Sequence, residues 1–436
     1  MKIHFIGLGG IGVSSLAQYY LAKGNEVSGS DLAASEITEL VKQKGAKIYI
    51  GNSAENILPD LDLVIYSPAV KPGNLEFKKA KELKIKLQSY PEALGELTKE
   101  YYTIAISGSH GKSTTTAMLG ILMQDAGLDP TVIVGTKVKE FGDTNFRFGK
   151  SKFLVIEACE YDSSFLNYFP KIVVVTNVDK EHLDFFKTFA NVKKAFKDFI
   201  MRLPEDGFLV FSSDDKNLNV IARSIATKQS GLRLLRFAHN DKNAGKLKKI
   251  LKVPGKHNVL NALAVLQVAR ILAVPDKISF KSLSNFRGTW RRFEIQDGRA
   301  GNKKIILISD YAHHPNEILA TLLAARERYS KNKIWCVFQP HQHQRTHYLF
   351  NDFIKVFKKV KIDKVILTDI YDVAGREVKE INLKISSELL AQKINRKNVI
   401  YCATNKLEDY VKENIKSGDV LIVMGAGDIY KLADKF

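Results

Sequence analysis

Ser107-Gly108-Ser109-His110-Gly111-Lys112-Ser113-Thr114 lies between the apolar run Thr103-Ile104-Ala105-Ile106 and an apolar stretch that reaches Leu122. Strand, glycine turn and helix in that order bring backbone amides to a helix N-terminus, where phosphate is held. The Gly-Lys-Ser ending adds an ammonium for the β- and γ-phosphates and a hydroxyl for Mg²⁺. The loop departs from the standard phosphate loop. Ile106 stands where the first glycine belongs, and only two residues separate Gly108 from Gly111. A chance match is the alternative, but the strand before and the helix after favour an ATP site made of Gly108, Ser109, His110, Gly111, Lys112, Ser113 and Thr114.

A second glycine turn stands near the N-terminus. Gly7-Leu8-Gly9-Gly10-Ile11-Gly12 follows the strand-like start of the chain and opens a helix, with Asp31 lying 19 residues beyond Gly12. Taken alone, this G-x-G-x-x-G pattern fits a dinucleotide enzyme, with Asp31 on a ribose, or a purely structural turn. A redox enzyme has no need of the loop at 107–114. A chain with both turns binds two phosphorylated ligands, one of them ATP. Gly7, Gly9, Gly10, Gly12 and Asp31 are then candidates for the second.

The remaining strand-like runs fix the class. Lys47–Ile50, Leu63–Tyr66, Phe153–Ile156, Ile172–Val175, Ile334–Phe338, Lys364–Leu367 and Val420–Met424 alternate with helical patterns, as in parallel sheets with crossover helices. Phe293–Gln296 and Lys304–Ile308 flank Asp297–Asn302, which reads as a hairpin loop. Phe185, Phe189, Val192, Phe196 and Phe199 predict one helix with a core-facing stripe, a membrane-surface helix being the lesser reading. The expected architecture is α/β in three domains. A Rossmann-like domain spans 1–98, a central parallel-sheet domain with the ATP loop 99–290, and a Rossmann-like C-terminal domain 291–436.

Composition agrees with a globular protein. The 436 residues are 45% hydrophobic and 26% charged, too long for one core. No apolar run approaches the roughly 20 residues of a membrane-spanning helix, and the start lacks a signal-peptide pattern. Three scattered cysteines, Cys159, Cys336 and Cys402, do not suit a disulfide framework, so a cytoplasmic protein is expected. The net charge of +19 fits nucleic acid, polyanionic small substrates or a lysine-rich solvated surface. No aromatic–basic platform accompanies it, and neither nucleic-acid binding nor membrane insertion is expected.

Taken together these motifs resemble the Mur ligases, which build the peptide of bacterial cell-wall precursors. The shortened loop Gly108–Thr114 is similar to their ATP loop, and His4–Gly12 to the uridine-nucleotide loop of the alanine-adding members. Glu157-Ala158-Cys159-Glu160-Tyr161-Asp162 is close to their acidic motif, whose third position is often Asp. Thr176–Asp184, Gly255–Asn261, Arg291–Glu294, Asp310–Pro315, Phe338–His341 with Arg345-Thr346, and Gly425–Asp428 follow in the family's order. The resemblance covers nearly the whole chain. It implies UDP-N-acetylmuramate and L-alanine as substrates, with ATP and Mg²⁺, or Mn²⁺ in its place.

The resemblance also implies roles. Lys112 and Arg292 face the ATP phosphates; Glu157 and His182, with Ser113, hold the metal. Asn258 and Asn261 lie on the adenine side, Asp310 on the ribose. The residues alone leave alternatives: Glu157 as a strand-end carboxylate satisfied by amides, His182 orienting water or substrate, Asn258 as a helix N-cap, and Arg292 as a surface charge. His313, His314, His341 and Arg345 are the candidates for the amino-acid pocket, Arg345 gripping a carboxylate. An incidental His-rich loop, or zinc on His341 and His343, is the competing reading. Gln342 stands where the family often has a second arginine. Rival functions are a folylpolyglutamate-type ligase, a relative that recycles a tripeptide onto the same sugar nucleotide, and a nucleic-acid-binding ATPase.

Overall fold

The computed structural model describes residues 1–227, 231–372 and 384–436. The chain divides into two compact units. The first comprises Met1–Lys180, Ala190–Asp241 and Asn261–Leu283, and the second Glu181–Phe189, Lys242–Leu260 and Ser284–Phe436.

The first unit holds two sheets. In one, β1 (Lys2–Ile6), β2 (Glu26–Asp31), β3 (Lys47–Ile50), β4 (Leu63–Tyr66) and β5 (Lys86–Ser89) run parallel in the order β3-β2-β1-β4-β5. The order reverses beside β1, and such a reversal opens a crevice at the carboxyl ends of the strands. The other sheet contains β6 (Tyr102–Ser107), β7 (Thr131–Val138), β8 (Thr144–Arg147), β9 (Phe153–Glu157), β10 (Ile172–Val175), β11 (Phe208–Ser212) and β12 (Arg233–Phe237). Its order is β12-β11-β10-β6-β9-β7-β8, parallel except for the edge strand β8. β6 therefore lies between β10 and β9, and the segments that follow these three strands emerge at one edge.

A buried polar cluster ties the two sheets of this unit together. The Gln18 side chain donates to Asn145 Oδ1 at 2.8 Å and accepts from Thr144 Oγ1 at 2.7 Å. Asn145 Nδ2 donates to Ser14 Oγ at 3.1 Å and to the Ile11 carbonyl. Every one of these polar groups is paired, which is the condition for a buried network to add stability.

The second unit carries β13 (Glu294–Ala300), β14 (Lys303–Asp310), β15 (Ile334–Phe338), β16 (Lys364–Leu367), β17 (Val399–Tyr401) and β18 (Val420–Met424), in the order β13-β14-β18-β15-β16-β17. Only the β13–β14 pair is antiparallel. Ile308, Cys336, Phe338, Ile422 and Met424 pack on one face, and Leu307, Trp335, Val337, Leu421 and Val423 on the other. Burial on both faces explains why these strands read as unbroken apolar runs rather than as alternations.

Two local expectations need correction. The β13–β14 hairpin closes through Gly301-Asn302 alone, because Asp297–Ala300 pair with Lys303–Ile306 instead of forming loop. Two-residue turns need positive φ, and Gly301 supplies it at +62°. The predicted stripe belongs to two helices, Leu183–Phe186 and Phe189–Ile200, broken at Lys187, whose φ is +65°. Val192, Phe196 and Phe199 are buried as predicted, but in the first short helix Phe186 faces inward while Phe185 is exposed. No helix among the described residues is long and apolar enough to cross a membrane.

Candidate functional site

The turn after β1 is held from β2. Gly7 N and Leu8 N both donate to the Ser30 carbonyl at 2.9 Å. Gly9 N donates to Asp31 Oδ2 at 2.8 Å, so Asp31 braces the turn itself. Gly12 owes its identity to a neighbour. A Cβ there would stand 2.9 Å from Cζ of Tyr90, which opens the helix Tyr90–Glu100. Burial first, and then the Glu157 carboxylate, push the Tyr90 hydroxyl above the usual phenol range. Gly10 starts the helix Ile11–Ala22 without a side-chain cap, which leaves the first-turn amides to a ligand.

The turn after β6 has the same design. Gly108 takes φ +129°, and a Cβ on it would stand 2.0 Å from Thr176 Oγ1 and 3.0 Å from the Thr176 amide. Only glycine fits that position. Gly111 (φ +85°) opens the helix Lys112–Asp125, again with no side-chain cap, and the Asn261 side-chain amide packs against it. Ser113 and Thr114 are buried in the first turn of this helix.

The segment after β10 is bound to the loop. The His110 amide donates to Asn177 Oδ1 at 2.9 Å, and its ring Nε2 lies 3.1 Å from Asp179 Oδ2. Thr176 Oγ1 donates to the His110 carbonyl at 2.6 Å. From β9, Glu157 accepts from the Gly135 amide at 2.8 Å, so the strand-end reading of Glu157 holds for one of its oxygens.

Lys112 is the most constrained side chain of the loop. Its ammonium donates to the Gly108 carbonyl at 2.6 Å, the Ser109 carbonyl at 3.2 Å and Glu160 Oε2 at 2.9 Å. Glu160 is fully buried. Burial by itself would lower the lysine's affinity for its proton, but the Glu160 carboxylate leads the charges that raise it well above its ordinary value. In the sequence, Glu160 and Asp179 stand inside motifs with nothing to mark their task. Nothing short of the fold reveals a pairing across 48 residues.

In the second unit, Asp310 ends β14 and Gln339 follows β15, with β18 between the two strands. Asp310 accepts from the Ala312 amide at 2.7 Å and the Phe293 amide at 2.8 Å, and burial pushes its carboxyl up to about 6. Of the adjacent arginines, Arg291 is buried, lies over Tyr430 at 4.4 Å and Tyr311 at 5.0 Å, and donates to the Gly425 and Gly427 carbonyls. Its guanidinium organises the loop after β18. Arg292 is half-buried, 4.8 Å from the Tyr311 ring centre, and keeps its guanidinium toward that ring.

The histidines separate. His314 caps the helix Pro315–Arg328, its ring accepting from the Asn316 amide at 3.3 Å. His313 Nδ1 lies 3.1 Å from the Tyr311 carbonyl, and burial followed by Arg345 lowers its pKa to about 4. His341 stacks on Tyr371 at 5.6 Å and meets Arg345 Nη1 at 3.0 Å, while His343 pairs with Asp372 at 2.9 Å. His341 and His343 thus serve different partners, which does not favour the zinc reading. Arg345 Nη2 donates to Glu181 Oε1 at 3.1 Å. Against the cost of its burial, Arg345 first, then His314, His182 and His313, hold Glu181 well below the carboxylate range. His182 takes φ +54° at the start of the helix Leu183–Phe186. Asn258 is not an N-cap. The helix Lys256–Ile271 begins two residues earlier, and Asn258 Nδ2 donates to the Pro254 carbonyl at 2.7 Å.

The chain matches known proteins along nearly its whole length. Residues 2–102 match the family model described as Mur ligase family, catalytic domain; 106–269 match the Mur ligase middle domain and 291–427 the Mur ligase, glutamate ligase domain. A UDP-N-acetylmuramate–L-alanine ligase of Clostridium botulinum is 43% identical over 455 residues, covering 100% of this chain and 97% of that one. One from Clostridium kluyveri is 41% identical over 459 residues, with the same coverage. Among solved structures, the UDP-N-acetylmuramate-alanine ligase of Thermotoga maritima superposes with a TM-score of 0.81 at 27% identity, covering 100% and 98% of the two chains. A murein peptide ligase of Psychrobacter arcticus shares the fold, with a TM-score of 0.73 at 21% identity over 100% and 98%.

Proposed function

The chain belongs to the Mur ligase family, and from that premise we propose that it is an ATP-dependent ligase joining L-alanine to UDP-N-acetylmuramate in peptidoglycan synthesis. The observation that carries this reading is likeness over the whole length: 43% identity across 100% of the chain to a ligase of that name.

The chemistry is set by a poor electrophile. The lactyl carboxylate of the sugar acid takes the γ-phosphoryl group of ATP, and ADP leaves. The neutral amine of alanine attacks the acyl carbon, and phosphate departs from the tetrahedral intermediate, leaving an amide. Charge builds on the phosphoryl oxygens during the first step, where a fixed ammonium is most effective. Lys112 supplies it, delivered by the helix start at Gly111, with Gly108–Thr114 around the phosphates and Asn258 and Asn261 toward the adenine.

Ser113 and Glu157 offer a hydroxyl and a carboxylate, the hard oxygen donors that Mg²⁺ takes, and the donor set fits that ion. His182, whose imidazole matches magnesium less well than oxygen does, would join them or orient water or substrate beside the ion. When bound, the metal offsets phosphate charge. The turn Gly7–Gly12 takes the uridine diphosphate portion, braced by Asp31. Arg292 and Asp310 serve ATP from residues 291–436, and His313, His314, His341 and Arg345 serve the amino acid. The domain limits 1–98, 99–290 and 291–436 belong to the same proposal. Phosphate release tests it: omission of either UDP-N-acetylmuramate or L-alanine should abolish release, and release that needs neither, or that responds to DNA or RNA, would defeat the reading.

A further inference from the structure

Glu181 is a buried carboxylate that the chemistry above leaves without a task. Its side chain is 5% exposed, and the guanidinium facing it is 13% exposed. The contact between them is single, Nη2 to Oε1 at 3.1 Å, while Nη1 of Arg345 is engaged with His341. A guanidinium has five N–H donors and a carboxylate several lone pairs, so one shared contact leaves most of both unused by the other. The arginine's base is rigid. Gln342 N is anchored on the Tyr371 carbonyl at 2.7 Å, and His341 lies flat on the Tyr371 ring.

We infer that Glu181 and Arg345 together bind the amino acid as a zwitterion, Glu181 receiving its α-ammonium while Arg345 receives its carboxylate. The inference rests on the ligase reading above and deepens it. An isolated buried charge is expensive, and breaking a buried pair costs more than most contacts return. An α-amino acid carries both charged groups on one carbon, separated by about the span of the contact it would enter. Exchange of one ion pair for two leaves no charge uncompensated. The pair thereby selects α-amino acids over ligands that offer one charge alone, which a lone arginine cannot do.

The test compares L-alanine with propionate, which lacks the ammonium, and L-alaninamide, which lacks the carboxylate, as competitors in the full reaction. With the native chain each should bind at least about 30-fold more weakly than L-alanine, the loss typical of removing one partner from a buried charge pair. In Glu181→Gln the KM for L-alanine should rise while the inhibition constant of propionate falls, because the guanidinium no longer answers to its own carboxylate. The ratio should move by about 30-fold or more. Glu181→Asp, which keeps the charge, should give an intermediate ratio and serves if the glutamine variant does not fold. Propionate competing as well as L-alanine with the native chain, or both ligands weakening in parallel in the variants, would overturn the inference. Hydroxylamine separates the two levels. With ATP and UDP-N-acetylmuramate the native chain should yield a hydroxamate from the acyl phosphate, and its absence would overturn the ligase reading and this inference with it.

Discussion

Replacement of Lys112 by methionine should damage stability as well as turnover. The ammonium is the cation beside fully buried Glu160, and it also satisfies the Gly108 and Ser109 carbonyls. Removing one partner of a buried pair costs about 3–5 kcal/mol. The lysine is 12% exposed, and relaxation toward water puts the expected loss near the lower end, about 3 kcal/mol. Turnover should fall by roughly 10²- to 10³-fold, as when a donor to developing charge is removed. The double variant Lys112→Met/Glu160→Gln removes the orphaned charge and should regain at least half of the lost stability while recovering no activity. The assay must report on the first unit. Both tryptophans, Trp290 and Trp335, belong to the second, so hydrogen exchange of the amides of 105–122 is the measurement, with denaturation followed by circular dichroism beside it. Unchanged stability in Lys112→Met, or a double variant no more stable than the single one, would show that Lys112 does not neutralise Glu160 in the fold.

Other consequences are as direct. Gly108→Ala should abolish nucleotide binding by calorimetry, since its Cβ would overlap Thr176 and its φ of +129° excludes a side chain. Asn145→Leu should cost about 3 kcal/mol in denaturation experiments, because Gln18, Ser14 and the Ile11 carbonyl all lose a buried partner. Asp310 sets a pH dependence. Its folded pKa is raised, so the folded state binds the proton more tightly, and stability should increase as pH falls from above about 6 toward the ordinary value near 3.8. The span corresponds to about 3 kcal/mol, and Asp310→Asn should flatten the stability profile over that window.

The sequence disclosed most about backbone and least about side-chain pairing. Ile172–Val175 and Val420–Met424 were legible because both faces of a parallel strand are buried, so that β-branched runs stand out from their surroundings. Both glycine turns were legible because close approach to the Tyr90 ring favours glycine at position 12 and a positive φ beside Thr176 requires it at position 108. The partnership of Lys112 with Glu160 and of Arg345 with Glu181 was not, since each joins residues 48 and 164 positions apart in the chain. Arg291 and Arg292 look alike in sequence and both lie over the Tyr311 ring; the Tyr430 ring and the Gly425 and Gly427 carbonyls set the structural guanidinium apart from the half-buried one. Near residue 185 the spacing predicts one continuous helix, because spacing reports periodicity and not the positive φ at Lys187 that breaks it.

One competition measures the identity of the bond formed. The chain is given ATP, UDP-N-acetylmuramate and equal concentrations of L-alanine, glycine, L-serine and the wall tripeptide, and the nucleotide products are weighed by mass spectrometry. The product should be UDP-N-acetylmuramoyl-L-alanine, formed with one ADP and one phosphate, with glycine admitted at low level because a single missing methyl is worth only about 1–3 kcal/mol. A predominant glycine or tripeptide adduct would contradict L-alanine as the substrate, and ATP consumed with no adduct would contradict amide formation as the reaction.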